Sequence, residues 1–162
     1  MILPFSTELH GKPTYFVEKI HKCFSLREIY MIAALDPSIH YPKDYNFVAK
    51  DKKAAKLHTI REDAKDRWKA GTKIDFFINC RQKDMFRFAP RIPVVSTQTI
   101  EIIADNFEFM NDYQIKIDGK LLSFDEQLEL ALNDGFDCLL HFFLYFNTDF
   151  TGKLIHWTDL KY

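Results

Sequence analysis

The spacing of apolar side chains changes twice along the chain, and each change marks a change of secondary structure. Ile2 to Ser6 reads as a short strand. From Thr14 to Ala34 the apolar positions Phe16, Val17, Ile20, Phe24, Ile29, Ile32 and Ala33 follow a helical period with a break near Ser25. Pro13 and Thr14 supply start signals, and Asp36-Pro37 ends the helix because a residue before proline resists the α conformation. Leu57 to Arg61, Lys73 to Cys80 and Val94 to Ala104 then read as strands. Asp118-Gly119, between Tyr113–Ile117 and Lys120–Leu122, predicts a tight hairpin. Ser123 with Glu126 three residues on predicts a capping box, and Asn133-Asp134-Gly135 stops that helix. Phe136 to Phe146 resumes as an aromatic helix, and Gly152 to Trp157 returns as a strand.

Strands grouped between helices favour an α+β fold over a parallel βαβ sheet. The expected architecture is a small curved sheet or β-barrel, flanked by helices over 14–34 and 123–146. The whole chain, 1–162, reads as a single domain with a polar, Lys-rich insertion at about 36–53. Only five glycines occur and none are clustered, which excludes a phosphate-cradling loop of the P-loop or Rossmann kind.

Composition narrows the function classes. The 16 Phe, 7 Tyr and 2 Trp supply apolar area for a core, with base stacking as the rarer use of such rings. Twenty-two basic and 23 acidic side chains nearly cancel, so any nucleic-acid contact must come from a local patch. Cys23, Cys80 and Cys138 are odd in number and far apart, and the six His show no metal spacing. No disulfide framework, metal or cofactor is expected. The N-terminus lacks a basic region before a long apolar core, and Cys138 to Phe146 is too short to span a bilayer. The expectation is a cytoplasmic protein without membrane contact.

Candidate chemistry concentrates in Lys56 to Gly71. Strand alternation places Thr59 and Arg61 on one surface, a hydroxyl beside a planar cation. Arg67, Trp68 and Lys69 follow in a turn-rich linker. Trp68 suits either a stacking platform or an anchor that fixes the linker to the core, the second being the commoner use. Arg81 opens a later segment in which cations alternate with Phe86 and Phe88.

Lys56-x-x-Thr59-Ile60-Arg61, followed by Trp68-Lys69-Ala70-Gly71 and a strand, resembles the ASCH domain of the PUA-like superfamily. The turn Asn133-Asp134-Gly135-Phe136 is similar to the turn that often follows that barrel. The resemblance implies a small β-barrel with flanking helices that recognises RNA or a modified nucleoside. It also implies kinship with amidohydrolases that release acetate from acetylcytidine. There Thr59 would be the nucleophile, Lys56 its base, Arg61 the oxyanion partner, and Asp134 or Glu126 the proton shuttle. Whether the chain is an enzyme stays open at this point. In the binding reading, slightly favoured, Arg61, Arg67, Lys69 and Arg81 contact phosphates while Trp68 or Phe86 stacks on a base. The chain also looks like phage-encoded proteins, which implies a third reading. In it Phe142 to Tyr162 forms an aromatic surface for a host protein partner.

Overall fold

The structure, a computed structural model, describes residues 1–25, 54–104 and 113–162. The insertion expected at 36–53 and residues 26–34 of the expected first helix lie outside the described residues. Those described fall into two compact units, Met1–Lys56 with Thr72–Pro93 and Leu57–Gly71 with Val94–Tyr162. The fold is α+β.

In the first unit, strand β1 (Ile2–Pro4) pairs in parallel with β5 (Lys73–Ile78), which also pairs antiparallel with β6 (Phe86–Arg87) and β7 (Ile92–Pro93). A small hairpin, β2 (Glu8–Leu9) and β3 (Lys12–Pro13), precedes helix α1 (Phe16–His21). The helix ends at His21, before the break expected near Ser25, and Cys23 and Phe24 close turns onto Ile20 and His21. Phe5, Phe76 and Phe88 pack as a ring cluster, stacked and edge-on, with centroids 5.8–6.0 Å apart. Here the aromatic weight of the sequence goes into a core.

The second unit is built on an antiparallel sheet of five strands, in the order β10-β9-β8-β11-β4. These are β4 (His58–Arg61), β8 (Ser96–Ala104), β9 (Tyr113–Ile117), β10 (Lys120–Leu121) and β11 (Phe150–His156). Register sets Ile60 beside Leu154, Ile100 beside Ile117 and Ile102 beside Ile115, so alternate positions bury one face. Helices α2 (Phe124–Asn133) and α3 (Leu139–Tyr145) contribute Leu130, Ala131, Leu139, Phe142 and Phe143 to the same core.

Local signals act as the sequence predicts. Asp118 and Gly119 both take positive φ, 49° and 82°, as a two-residue hairpin of matching twist requires. The Ser123–Glu126 capping box is present. Gly135 at φ 89° donates to Leu132 O while Phe136 donates to Ala131 O, a Schellman ending for α2.

Long-range pairing departs from expectation. The strands of 57–104 do not share one sheet: β5, β6 and β7 belong to the first unit, β4 and β8 to the second. Among the described residues no sheet closes into a barrel; each is open. Closure needs strands of matched tilt and register around a ring, and among the described residues β10 and β4 end their sheet.

Candidate functional site

Strand β4 carries the segment singled out by sequence, and its start is fixed by α2. The amide of Leu57 donates to Asn133 O at 2.8 Å, which brings the C-terminal end of α2 alongside the strand. His58 consequently lies against Asp134, with Nδ1 and Oδ1 3.5 Å apart, and both side chains are buried. On its other side His58 Nε2 lies 2.8 Å from Tyr162 Oη, which also accepts from Asn133 Nδ2 at 3.0 Å. Burial pushes the Tyr162 phenol well above its ordinary pKa, with the Glu129 and Asp134 charges adding to the rise against the Asn133 hydrogen bond. A carboxylate, an imidazole and a hydroxyl thus line up inside the second unit.

At the far end of β4 a cleft of about 260 Å³ opens, lined by Ile60, Arg61, Glu62, Tyr145, Phe146, Thr148 and Phe150. Burial lowers the pKa of the Arg61 guanidinium, while the negative potential of Asp134 and Tyr145 opposes that shift. Arginine stays charged through such shifts. Arg61 therefore shares the cleft with three aromatic rings, the Glu62 carboxylate and the hydroxyls of Tyr145 and Thr148.

The predicted residues fall in both units. Lys56 lies in the first unit, buried, with its ammonium 4.6 Å from the centre of the Phe16 ring and its backbone hydrogen-bonded to Lys19 O at 3.0 Å. Thr59 is in the second unit, paired with Ile155, buried, and not among the residues lining the cleft. Strand alternation turns it away from the face that carries His58.

The two carboxylates nominated as a shuttle also separate. Glu126 accepts from Lys120 Nζ at 2.7 Å and from the amide and hydroxyl of Ser123 at 2.8 and 2.9 Å. Those bonds draw its pKa down to about 2, so it is a helix cap held ionised and poorly suited to pass protons. Asp134 is the one at the polar cluster.

The cation-rich linker turns inward on itself. Asp63 accepts from the amides of Arg67 and Trp68 at 3.0 and 2.8 Å, and Lys153 Nζ donates to Trp68 O at 3.0 Å. Burial pushes the Asp63 carboxyl up, but the amides of Trp68 and Arg67 and the charge of Lys153 outweigh it, and its pKa falls. Trp68 is itself buried, which is the anchor of the two roles considered for it. Arg67 and Lys69 are exposed and face Asp63 and Asp66, so their charges are offset locally. Arg81, at φ 69°, belongs to the first unit. In the C-terminal segment Phe142, Phe143, Phe146 and Trp157 are core residues, leaving Leu144 and Tyr145 as its exposed large apolar side chains.

Sequence reading missed His58, His156 and Tyr162. His156 pairs with His58 across the strands, and Gln98 ties in Tyr162 through its backbone at 2.9 and 3.0 Å. The available signal was polar residues at positions whose strand parity is that of the core, namely His58, Gln98 and His156. No family model, curated protein or solved structure matches the chain. Among the described residues, no helix is long and apolar enough to cross a membrane.

Proposed function

We propose that the second unit acts as an ASCH-like binding module that holds one nucleotide-type ligand in the cleft at the end of β4. The observation that carries this reading is the placement of Arg61 among Tyr145, Phe146 and Phe150. A planar base is attracted to aromatic faces, and a phosphate to a guanidinium whose planar fork matches its oxygens. Thr148 and Glu62 add an acceptor for base or sugar hydroxyl and amino groups. About 260 Å³ lies at the small end of ligand pockets and suits a mononucleotide better than a polymer. Offset charges at Arg67 and Lys69 also argue for a single nucleotide over a tract of RNA.

Hydrolysis of an acylated nucleoside such as acetylcytidine has weaker support, because Thr59 does not line the cleft and Glu126 is engaged as a cap.

The test is equilibrium titration of the full chain with adenosine and uridine monophosphates, and with short single-stranded RNA, at low salt. Mononucleotide affinity is expected to fall about tenfold or more in Arg61→Gln, the loss of one charge-assisted hydrogen bond. Tyr145→Ala is expected to weaken it too. A folded chain that binds no mononucleotide, or binds equally well as Arg61→Gln, rejects the reading. RNA binding without mononucleotide binding would move the site out of the cleft. Turnover of acetylcytidine that Thr59→Ala abolishes would replace binding by hydrolysis.

A further inference from the structure

Glu62 follows directly on β4, and its backbone is held from both sides. Arg61 before it is paired with Lys153 of β11, and Asp63 after it accepts from the amides of Arg67 and Trp68 at 3.0 and 2.8 Å. The Glu62 carboxylate is exposed and lines the cleft, and among the described residues it makes no hydrogen bond or ion pair. The Thr148 hydroxyl lines the same cleft and makes none either. A fixed backbone thus presents an acceptor with two oxygens, and the opening adds a hydroxyl able to donate. On the apolar side Tyr145 and Phe150 each stand against Phe146, with centroids 4.8 and 5.1 Å away and ring planes at 85° and 63°. A base stacked on the exposed Tyr145 ring leaves its edge for the polar groups at the opening.

We propose that the cleft selects guanine nucleotides, with Glu62 reading the edge of the base, a role that rests on the nucleotide reading of the cleft. Guanine presents two adjacent N–H donors, at N1 and N2, and the two oxygens of one carboxylate accept both as a bidentate, charge-assisted pair. The neighbouring O6 is an acceptor that the Thr148 hydroxyl can serve. The other bases match less well. Adenine and cytosine each offer one amino donor beside a ring nitrogen whose lone pair faces the second carboxylate oxygen. Uracil has a single N–H between two carbonyls. Each loses a hydrogen bond and sets acceptor against acceptor.

Charge works in the same direction. Base edge and phosphate stand at opposite ends of a nucleotide, so Arg61 can meet the phosphate while Glu62 meets the donors. A carboxylate at the opening also repels any phosphate ligand whose base cannot offset it with N–H groups, which adds to the discrimination. Because Glu62 is exposed, water competes for its oxygens, and the preference expected is about tenfold, far below that of a fully buried polar reader.

The experiment is calorimetric titration of the full chain at low salt with guanosine, inosine, adenosine and uridine monophosphates. Guanosine monophosphate should bind about tenfold more tightly than the adenosine and uridine compounds. Inosine monophosphate keeps the N1 hydrogen but lacks the N2 amino group, and should fall between. Glu62→Gln should abolish the guanine preference and favour adenosine, because a glutamine amide sets one donor and one acceptor against N1 and N6 of adenine. Glu62 is exposed, so this substitution leaves the fold in place. Guanosine binding no tighter than adenosine in the parent overturns the selection and leaves the nucleotide reading intact. A preference that survives unchanged in Glu62→Gln overturns the role of Glu62. Binding of none of the four rejects the nucleotide reading, and the selection with it.

Discussion

His58 and His156 face each other across β4 and β11 with ring centroids 5.3 Å apart, and neither side chain reaches solvent. His58 has Tyr162 and Asp134, whereas neither nitrogen of His156 finds a hydrogen-bond partner among the described residues. Two imidazoles so close and so buried cannot both accept protons without strong repulsion.

Acid sensitivity follows from His156. Its folded pKa of about 4 lies below the ordinary 6.5, so the unfolded chain binds the proton more readily. Its contribution to stability is complete above about pH 6.5 and is lost as pH falls toward 4. His156→Phe removes the titrating group and its unsatisfied nitrogens. Thermal melts should show a higher Tm for the variant, by about 1 kcal/mol or more of stability, with a shallower fall between pH 6.5 and 4. Parallel pH profiles for parent and variant would contradict this role.

Trp68→Ala should cost stability first, by about 3–5 kcal/mol, because the ring is buried beneath a loop pinned by Asp63 and Lys153. Urea melts measure it. Near-parental stability combined with weakened nucleotide binding would make Trp68 a stacking residue.

At the capping box, Ser123→Ala should destabilise the chain by about 0.5–2 kcal/mol and leave nucleotide affinity unchanged. Glu126 at about pKa 2 contributes fully above its ordinary 4.5, and that contribution disappears as pH falls toward 2. Chemical melts in acid on Glu126→Gln should therefore converge with the parent. A change in ligand affinity in Ser123→Ala would return Glu126 to the site.

Gly152 sits where β11 passes Arg61. A Cβ there would lie 2.5 Å from Arg61 O and 2.6 Å from the Phe150 ring. One neighbour is backbone and cannot yield without moving β4, so Gly152→Ala should cost about 1–3 kcal/mol or more. Because Arg61 and Phe150 both line the cleft, nucleotide binding should fall as well. Circular-dichroism melts with the same titration check both; a variant as stable and as tight as the parent would show that the strands can part cheaply.

Much of the chain is written in short-range signals. The Asp118-Gly119 turn needs positive φ at adjacent residues, the Ser123–Glu126 box satisfies helix-end amides, and Gly135 takes the left-handed position after α2. Each is settled within a few residues by local sterics and hydrogen bonding, so the sequence states it directly. The α+β class follows from the same local evidence, as periodicity changes at Leu57 and at Ser123. The emphasis on Arg61 also came from sequence, through the cation at the end of a strand.

Tertiary pairing decided the rest. The strands of 57–104 look alike in pattern, yet β5 joins β1 in one sheet and β4 joins β11 in another, a choice made by partners far along the chain. Strand parity alone linked Thr59 with Arg61. The cleft instead takes Arg61 with Tyr145, Phe146 and Phe150, from α3 through the start of β11. His58 gained its meaning only when Leu57 bonded to Asn133 and brought Asp134 to its side. Hydrophobic period records which face of an element is buried, but not which distant side chain will meet it there; that is fixed when the elements pack.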